Sequence, residues 1–538
     1  MKFQKALIEK KDRSLDFKER IKSSSLNKVW EKIGVFPHHG INTPLFSLHS
    51  KNSCGIGEFL DLQLLIDFCH LTHLDIIQLL PLNDSGSETS PYNALSSKAL
   101  NPIYLSLHAL PYCKSDEALI YHLKGFKKYT HLQRVPYNAI LSAKMEFLSL
   151  YYHRYFQIYE KSPPYLKFLK ENQWVYDYGL FKALKEEYCH KKWSLWKKRD
   201  QKPSLRLKKE LIRKKRDRVD FFIFLQFLAF SQFDEVKTYA EKKGVFIKGD
   251  IPILVSPESV DVWAGRNDFN LNYTAGAPKD TMCPQGQNWG FPIYNWSAIE
   301  FSDYRFWKER LRIASRLYDL YRVDHIIGLF SIFAIPKDAP VDKGAYQPLD
   351  LHLSLIQGSS ILKKLISFSP MLPIGEDLGL VREGIKESMA QEAIAGTKIP
   401  RWEKKGDQFI DKHFYPPISL TTVSTHDSET LTQWWNNSPN EAKLFAESLG
   451  LIYNPHLSFS LRFEILKHSH RSASLFHINL LSEYLALFEE LVSALPDEER
   501  INRPGFILPS NWCYKTRPSL ETLLDHTDLK NTLKKMVA

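Results

Sequence analysis

From residue 43 onward, short apolar runs alternate with longer stretches whose apolar positions recur every three or four residues. Residues 43–48 (TPLFSL) read as a first strand. Residues 59–69 (FLDLQLLIDFC) have helical periodicity, and residues 74–82 (LDIIQLLPL) read as a strong second strand. This β-loop-α-β order is the unit of a parallel α/β fold. Further strand signals fall at 244–255, 320–324, 371–377, 398–402, 420–425 and 505–509, with helical patterns such as 219–240 and 304–319 in the intervals. Eight alternating units predict an α/β fold of the TIM (β/α)8 barrel type with large helical insertions in the βα loops. An open doubly wound sheet is the alternative. The chain has no Gly-x-Gly-x-x-Gly and no Walker motif, so no dinucleotide or nucleoside triphosphate site is expected.

Two segments interrupt the alternation. Residues 83–218 open with the polar loop Asp84-Ser-Gly-Ser-Glu-Thr-Ser-Pro-Tyr92 and continue as helix-rich sequence. A loop of that length without structure of its own is implausible in a compact domain, so a helical insertion after the second strand is expected. Residues 256–296, rich in Gly, Pro, Asn and Trp, read as a second long loop. Residues 1–35 are charged with scattered apolar positions and read as a helical N-terminal cap, with the barrel spanning 36–538.

The 538 residues, 43% hydrophobic and 13% aromatic, supply a sizeable core. Cysteines at 54, 69, 113, 189, 283 and 513 are scattered and form no Cys-x-x-Cys, the pattern of free thiols in a reducing compartment. Cys69-His70 with His73, and Cys189-His190, lack a second cluster at ligand spacing, so no metal is expected. The first residues carry no apolar signal region, and no uncharged apolar run reaches membrane-spanning length. A cytoplasmic protein without a membrane partner is the expectation. The net charge of +11 sits in one place: residues 191–218 hold fourteen Lys or Arg against three Asp or Glu, the whole formal excess. This run, with Trp193 and Trp196, reads as a solvated helix face rather than a nucleic-acid site.

Chemistry concentrates at Leu320-Tyr-Arg-Val-Asp-His-Ile-Ile-Gly328, a strand ending in Arg322, Asp324 and His325. A surface ion pair explains such an end in isolation. Two more acidic strand ends follow: Glu376-Asp377 and, 51 residues after Glu376, Asp427. The C-terminal ends of barrel strands converge on one mouth. Carboxylates meeting there suit glycosidic bond chemistry, with one protonating the leaving oxygen and one attacking or stabilising the anomeric carbon. On physics alone they equally suit Mg²⁺.

The motifs together resemble those of the 4-α-glucanotransferases of the amylomaltase (disproportionating enzyme) type, glycoside hydrolase family 77. Along residues 43–518 these are Gly55-Ile-Gly-Glu58, Gln78-Leu-Leu-Pro-Leu82, Ser90-Pro-Tyr92, Asn101-Pro102, Gly249-Asp-Ile-Pro-Ile253, Ser259-Val-Asp-Val-Trp263, Gly276-Ala-Pro-Lys-Asp280, Gly286-Gln-Asn-Trp-Gly-Phe-Pro292, Arg322-Val-Asp-His325, Glu376-Asp-Leu-Gly379, Thr425-His-Asp427, Asn502-Arg-Pro-Gly505, Asn511-Trp512 and Arg517-Pro518. The resemblance implies a retaining glucan transfer without cofactor, with α-1,4-glucans as donors and glucose or another glucan as acceptor. It makes Asp324 the nucleophile, Glu376 the general acid/base and Asp427 the carboxylate that holds the donor sugar's hydroxyls. Tyr92 and Trp289 are expected to offer rings to the sugar faces, and His325 and His426 hydrogen bonds. Asp280, Gln287 and Asn511 are expected as polar contacts, with Arg322 and Asp377 as charged neighbours. Arg322 beside Asp324 favours its ionised form, and Asp377 beside Glu376 raises its pKa. Asp250, just before Pro252, is read as fixing the barrel mouth. A glucan hydrolase or debranching-type enzyme, or a non-catalytic glucan-binding protein, are the other readings.

The chain departs from the family's commonest pattern at three places. Ile326-Ile327 stands where most members have Phe-Arg, Gly375 where Ala or Ile precedes Glu-Asp, and Lys398-Ile-Pro-Arg-Trp402 where an apolar strand is usual. These features resemble the plant cytosolic and some bacterial branches, which favour large acceptors. Residues 1–42 are too few for the starch-binding modules of those plant enzymes.

Overall fold

Eight parallel strands form one sheet in a computed structural model that describes residues 16–279 and 284–538. They are β1 His38–Thr43, β2 Ile76–Leu79, β3 Phe246–Ile251, β4 Leu320–Val323, β5 Leu372–Gly375, β6 Gly396–Lys398, β7 Ser419–Thr421 and β8 Phe476–Leu480. Their spatial order is β6-β7-β8-β1-β2-β3-β4-β5. The ends meet through a parallel bridge between Ile374 and Ala395, and Gly375 N–H donates to Ala395 O at 2.8 Å. The sheet is therefore a closed (β/α)8 barrel, and the open-sheet alternative falls.

Two expected strands are corrected. The first strand is His38–Thr43, not 43–48. Pro44 ends it, and Leu45–Ser47 is a 3₁₀ turn. Residues 505–509 form no strand: Gly505 has φ 80°, and Phe506 and Ile507 project into solvent. The eighth strand is Phe476–Leu480. His477 and Asn479 blur its apolar pattern, yet both are buried. Asn479 Nδ2 donates to Ser469 Oγ, and its Oδ1 accepts from Val423 N–H at 2.8 Å, tying β8 to the exit of β7.

The barrel's lower end is closed by helix Asn27–Ile33. Trp30, fully buried, donates its indole N–H to Ala393 O (3.0 Å) and packs on Phe476. Between β2 and β3 lie the helices Glu117–Gly125, Tyr137–Glu160, Pro163–Glu171, Trp174–Glu187 and Leu205–Lys214. All but the first pack on the 28-residue helix Arg216–Lys243, which runs from this region down to the start of β3, and Glu117–Gly125 packs on Tyr137–Glu160. Phe224 and Phe227 of that helix meet Tyr159 and Tyr165 in an aromatic core. The basic run lies here too. Lys208 pairs with Asp177, Lys215 with Glu187, Arg216 with Glu160 and Arg218 with Glu186. Trp193 and Trp196 are buried, so neither is a stacking platform for bases.

Residues 256–296 are more ordered than the long loop expected. Strands Phe269–Ala277 and Gln287–Tyr294 form an antiparallel hairpin, extended by Ile332–Pro336 and Ala345–Gln347 into a four-stranded sheet. Ile332–Pro336 follows shortly after β4, so this sheet stands beside the mouth that β4 enters. Among the described residues, no helix is long and apolar enough to cross a membrane.

Buried histidines line the β1–β8 seam. His39 Nδ1 lies 2.9 Å from His470 Nδ1, a contact that holds one shared proton and no second. His39 stacks on His477, His470 Nε2 meets Tyr484 Oη, and His38 Nδ1 meets Asp75 Oδ2. Burial lowers all three of His39, His477 and His470, the first two to about 3 and about 4. The unfolded chain therefore takes up more protons than the fold below the ordinary histidine value of 6.5. The expected result is a melting temperature that holds above about pH 6.5 and falls progressively toward about pH 4. Thermal melts across that window check it, and a flat profile contradicts it.

Candidate active site

Asp324 and Glu376 each follow directly on the last ladder residue of their strand, Asp250 and Arg322 pair within the ladder, and Asp427 lies on the loop that leaves β7 at Thr421. On β4, Arg322 points to the same side as Asp324, two positions on. Leaving the strand, His325 adopts a left-handed backbone (φ 47°), which turns its N–H onto Glu376 Oε2 at 2.9 Å. Leu378 N–H donates to Glu376 Oε1 at 3.1 Å, so two main-chain donors fix that carboxyl. Asp324 N–H donates to Ile251 O, tying the acid to the end of β3.

Arg322 organises the centre. Its Nη1 donates to both carboxylate oxygens of Asp250, at 3.0 and 2.9 Å. Its Nη2 lies 2.8 Å from Asp324 Oδ1 and 3.8 Å from Glu376 Oε2. The sum of those last two lengths caps the separation of the two carboxylate oxygens. The cap admits the roughly 5–5.5 Å of retaining carboxyl pairs and reaches only the lower edge of the roughly 6.5–9.5 Å of inverting ones. Asp324 is 27% exposed and Glu376 16%, so a ligand in the mouth reaches both.

A second chain of contacts runs from Asp250 to Asp427. Tyr92 donates to Asp250 Oδ2 at 2.7 Å and lies 3.0 Å from His426 Nε2, which lies 3.1 Å from Asp427 Oδ2. Asn502 Nδ2 donates to Asp427 Oδ1 at 2.6 Å, and Arg500 donates to the Asp427 carbonyl. Asp427 remains 42% exposed.

The three carboxyls have different electrostatics. Burial pushes Asp324 up to about 6; Arg322 pulls it down, while Asp250 and Glu376 add to the rise. Arg322 therefore favours the ionised form of Asp324, as expected from the sequence, but burial outweighs it. Glu376 is raised chiefly by burial, which outweighs Arg322 and the two N–H donors. Asp377, the expected cause, is a minor contributor. Burial pushes Asp427 up as well, but His426, Asn502 and Arg322 together outweigh it and bring the carboxyl down to about 2. Asp427 is thus the carboxyl that ionises most readily, while Asp324 and Glu376, both raised, lie on the same guanidinium.

The expected binding residues divide. Trp289 and His325 meet edge to face, ring centroids 4.9 Å apart, and Gln287 Oε1 accepts from the Trp289 indole N–H. Gln287 thus braces Trp289. Tyr92 carries His426 stacked on one face (5.4 Å) and Trp512 against it, so that face is not open to a sugar. His426 is buried and shared between Tyr92 and Asp427. The Asp377 carboxylate is buried, accepts from Thr397 N–H at 2.6 Å and lies 3.7 Å from Lys386, so it joins β5 to β6. The Asn511 amide accepts from Arg503 N–H and donates to Phe506 O, closing the loop between them. Asp280 lies outside the described residues. Among the described residues no three His, Cys, Asp or Glu side chains converge to hold a metal ion.

Asn502 is the residue sequence reasoning missed. It stood in a matched Asn-Arg-Pro-Gly turn, and nothing local revealed that its amide reaches a carboxylate 75 positions away. Two of the departures from the family pattern explain each other. Ile326 is fully buried beneath β5, and a Cβ on Gly375 would stand 2.9 Å from its Cγ2. The branched Ile326 fits because residue 375 has no side chain. In the third, Arg401 is buried and donates to Glu429 O (2.7 Å) and Ser428 Oγ (3.2 Å), backing the turn that carries Asp427.

The glycoside hydrolase family 77 model, described as 4-alpha-glucanotransferase, matches residues 43–521. The 4-alpha-glucanotransferase of Chlamydia pneumoniae is 44% identical over 523 residues, covering 96% of this chain and 98% of the relative. The 4-alpha-glucanotransferase DPE2 of Oryza sativa is 34% identical over 345 residues, 62% of this chain and 36% of that protein. Among solved structures, amylomaltase from Streptococcus agalactiae in complex with acarbose superposes with a TM-score of 0.76 at 24% identity, covering 93% of this chain and 99% of that one. Amylomaltase from Corynebacterium glutamicum gives 0.75 at 21% identity, covering 96% and 76%. Both structures share the fold of this chain.

Proposed function

The chain belongs to the 4-α-glucanotransferases of glycoside hydrolase family 77, and we propose that it transfers a segment of an α-1,4-glucan to the 4-hydroxyl of glucose or another glucan by a retaining double displacement at Asp324 and Glu376. The observation that supports the mechanism is the bridge made by Arg322 Nη2, which limits the separation of the Asp324 and Glu376 oxygens to a range that includes the spacing of a retaining pair.

In the first step an Asp324 carboxylate oxygen attacks the anomeric carbon. The glycosidic C–O bond breaks, and Glu376 gives its proton to the departing oxygen. The piece with the original reducing end leaves, and the rest stays as a β-glycosyl ester of Asp324. In the second step the Glu376 carboxylate takes the proton of an incoming 4-hydroxyl. That oxygen attacks the anomeric carbon and Asp324 is released. Two inversions give net retention, and one α-1,4 bond replaces another, so no nucleotide or redox group is needed. Asp427, held anionic by His426 and Asn502, is placed to bind the donor sugar's hydroxyls. Trp289, against His325, supplies an apolar edge beside the reacting carbon that favours a sugar over water.

Incubation with maltotriose tests the reading. Glucose together with maltodextrins longer than the substrate is the expected outcome, whereas maltose and glucose alone mark a hydrolase. Replacing Asn502 by Ala removes a hydrogen bond to a charged acceptor, roughly 1.5–3 kcal/mol, so kcat/KM is expected to fall about tenfold to a hundredfold. Kinetics on maltotriose read this, and an unchanged value contradicts Asp427's role.

We further read the enzyme as cytoplasmic, acting on maltooligosaccharides and glycogen-like acceptors. The free thiols of Cys54, Cys69, Cys113, Cys189 and Cys513 support a reducing compartment.

A further inference from the structure

Lys248 lies inside the barrel, 1% exposed, at the middle of β3. Its Nζ donates to the neutral amide oxygen of Gln78 on β2, at 2.7 Å. The two are register partners, and Asn42 of β1 is the register partner of Gln78 in turn. These three side chains make a polar layer in the barrel wall. Asn42 Oδ1, also buried, has no hydrogen-bond partner, so the layer is not arranged merely to satisfy its own members. A buried ammonium whose hydrogen bond goes to a neutral group is costly, and its charge acts at long range through a medium of low polarity.

The nearest layer above is the catalytic one. Asp250 follows Lys248 by two residues on the same face of β3, about 7 Å along the strand. Asp250 pairs with Arg322 across to β4, and Arg322 passes the contact to Asp324 and Glu376. Double displacement starts from an ionised Asp324 and a protonated Glu376. Asp250 and Asp324 then both draw on Arg322, the one guanidinium that bridges them. Two buried cations stand behind this pair: Lys248 below Asp250, and Arg310, which donates to Pro252 O and acts on Asp324.

We propose that Lys248 is a positioning residue whose buried ammonium offsets the charge of Asp250, leaving Arg322 free to hold Asp324 anionic while Glu376 keeps its proton. The proposal rests on the double displacement described above. Gln78 fixes the ammonium, and the groups that face it are Asp250 on its own strand and Arg322 on β4. Asp324 and Glu376 lie beyond Arg322. Lys248 is brought down by burial and by Arg322, against Asp250, to about 7.

The test is the pH dependence of kcat/KM for maltotriose disproportionation in Lys248→Met and Lys248→Arg. The expected result for Lys248→Met is an acid limb displaced upward by about one pH unit, a loss of about tenfold at pH values below the limb. Lys248→Arg is expected to keep the wild-type limb. A limb that stays in place in folded, active Lys248→Met overturns the proposal, whatever happens to its melting temperature, because packing alone does not move a pH profile. Should the methionine variant not fold, the reciprocal is read in the wild type and in Asp324→Asn by NMR of ¹³Cε-lysine. The buried lysine's titration midpoint is expected to fall when the Asp324 charge is removed, and an unmoved midpoint overturns the proposal. Failure of the double displacement itself shows separately, as maltotriose products without transfer.

Discussion

Asp324→Asn is expected to lower glucan transfer by on the order of 10⁴-fold or more, the scale on which enzymes lose activity when the covalent nucleophile is removed. The fold is expected to persist. The amide keeps an oxygen for Arg322 Nη2, at present 2.8 Å from Asp324 Oδ1, and the backbone tie from residue 324 to Ile251 O is unaffected. Removing a largely buried carboxylate that burial pushes up also relieves a desolvation cost, so the variant's melting temperature is expected to equal or exceed the parent's. Activity on maltotriose and a thermal melt read both halves. Undiminished turnover removes Asp324 from the nucleophile's role, and lost activity with a lost fold says only that the site was structural.

Glu376→Gln separates the two steps. The amide cannot protonate a leaving sugar, and general acid catalysis contributes roughly 10²–10⁴-fold, so turnover of maltotriose is expected to fall by that factor. With α-maltosyl fluoride, whose leaving group needs little acid help, the first step is expected to recover. The glycosyl-enzyme then waits for a nucleophile that needs no base, and added azide is expected to give the α-glycosyl azide. The pH profile carries the same information. In the parent enzyme kcat/KM is expected to be bell-shaped, the acid limb marking the first proton lost from the coupled Asp324–Glu376 pair and the alkaline limb the second. Glu376 is raised by burial, so that second limb lies above the ordinary carboxylate range. In Glu376→Gln the alkaline limb is expected to vanish while the acid limb remains. Equal losses on both donors, or an alkaline limb that survives, contradict the acid/base role.

Much of this was legible in the chain because barrel strands put their chemistry at their C-terminal ends. Seven of the eight barrel strands overlap or adjoin an apolar run read as a strand, and Asp324, Glu376 and Asp427 each follow closely on one. β8 escaped because His477 and Asn479 look like solvent-facing residues but are buried against neighbouring polar groups. The hairpin at 269–294 was hidden by Gly and Pro, which usually mark loops; here Gly276 and Pro292 sit within paired strands. Site residues were less legible than strands, since what decides them is tertiary. Asp377 and Asn511 stand in matched motifs but spend their polar atoms on Thr397 and on the 503–511 loop. Asn502 and Lys248 carry no local signal, because their roles depend on partners from other strands. The neighbour in sequence also misled on electrostatics: burial, not Asp377, dominates the rise of Glu376.

The central claim is that Asp324 carries the sugar between donor and acceptor. It is tested most directly by treating Glu376→Gln with α-maltosyl fluoride, quenching, digesting with protease and locating the added mass by tandem mass spectrometry. A maltosyl unit on the carboxylate of Asp324 is the expected result. A maltosyl unit on any other residue, or no adduct in an enzyme that still releases product with inverted anomeric configuration, contradicts it.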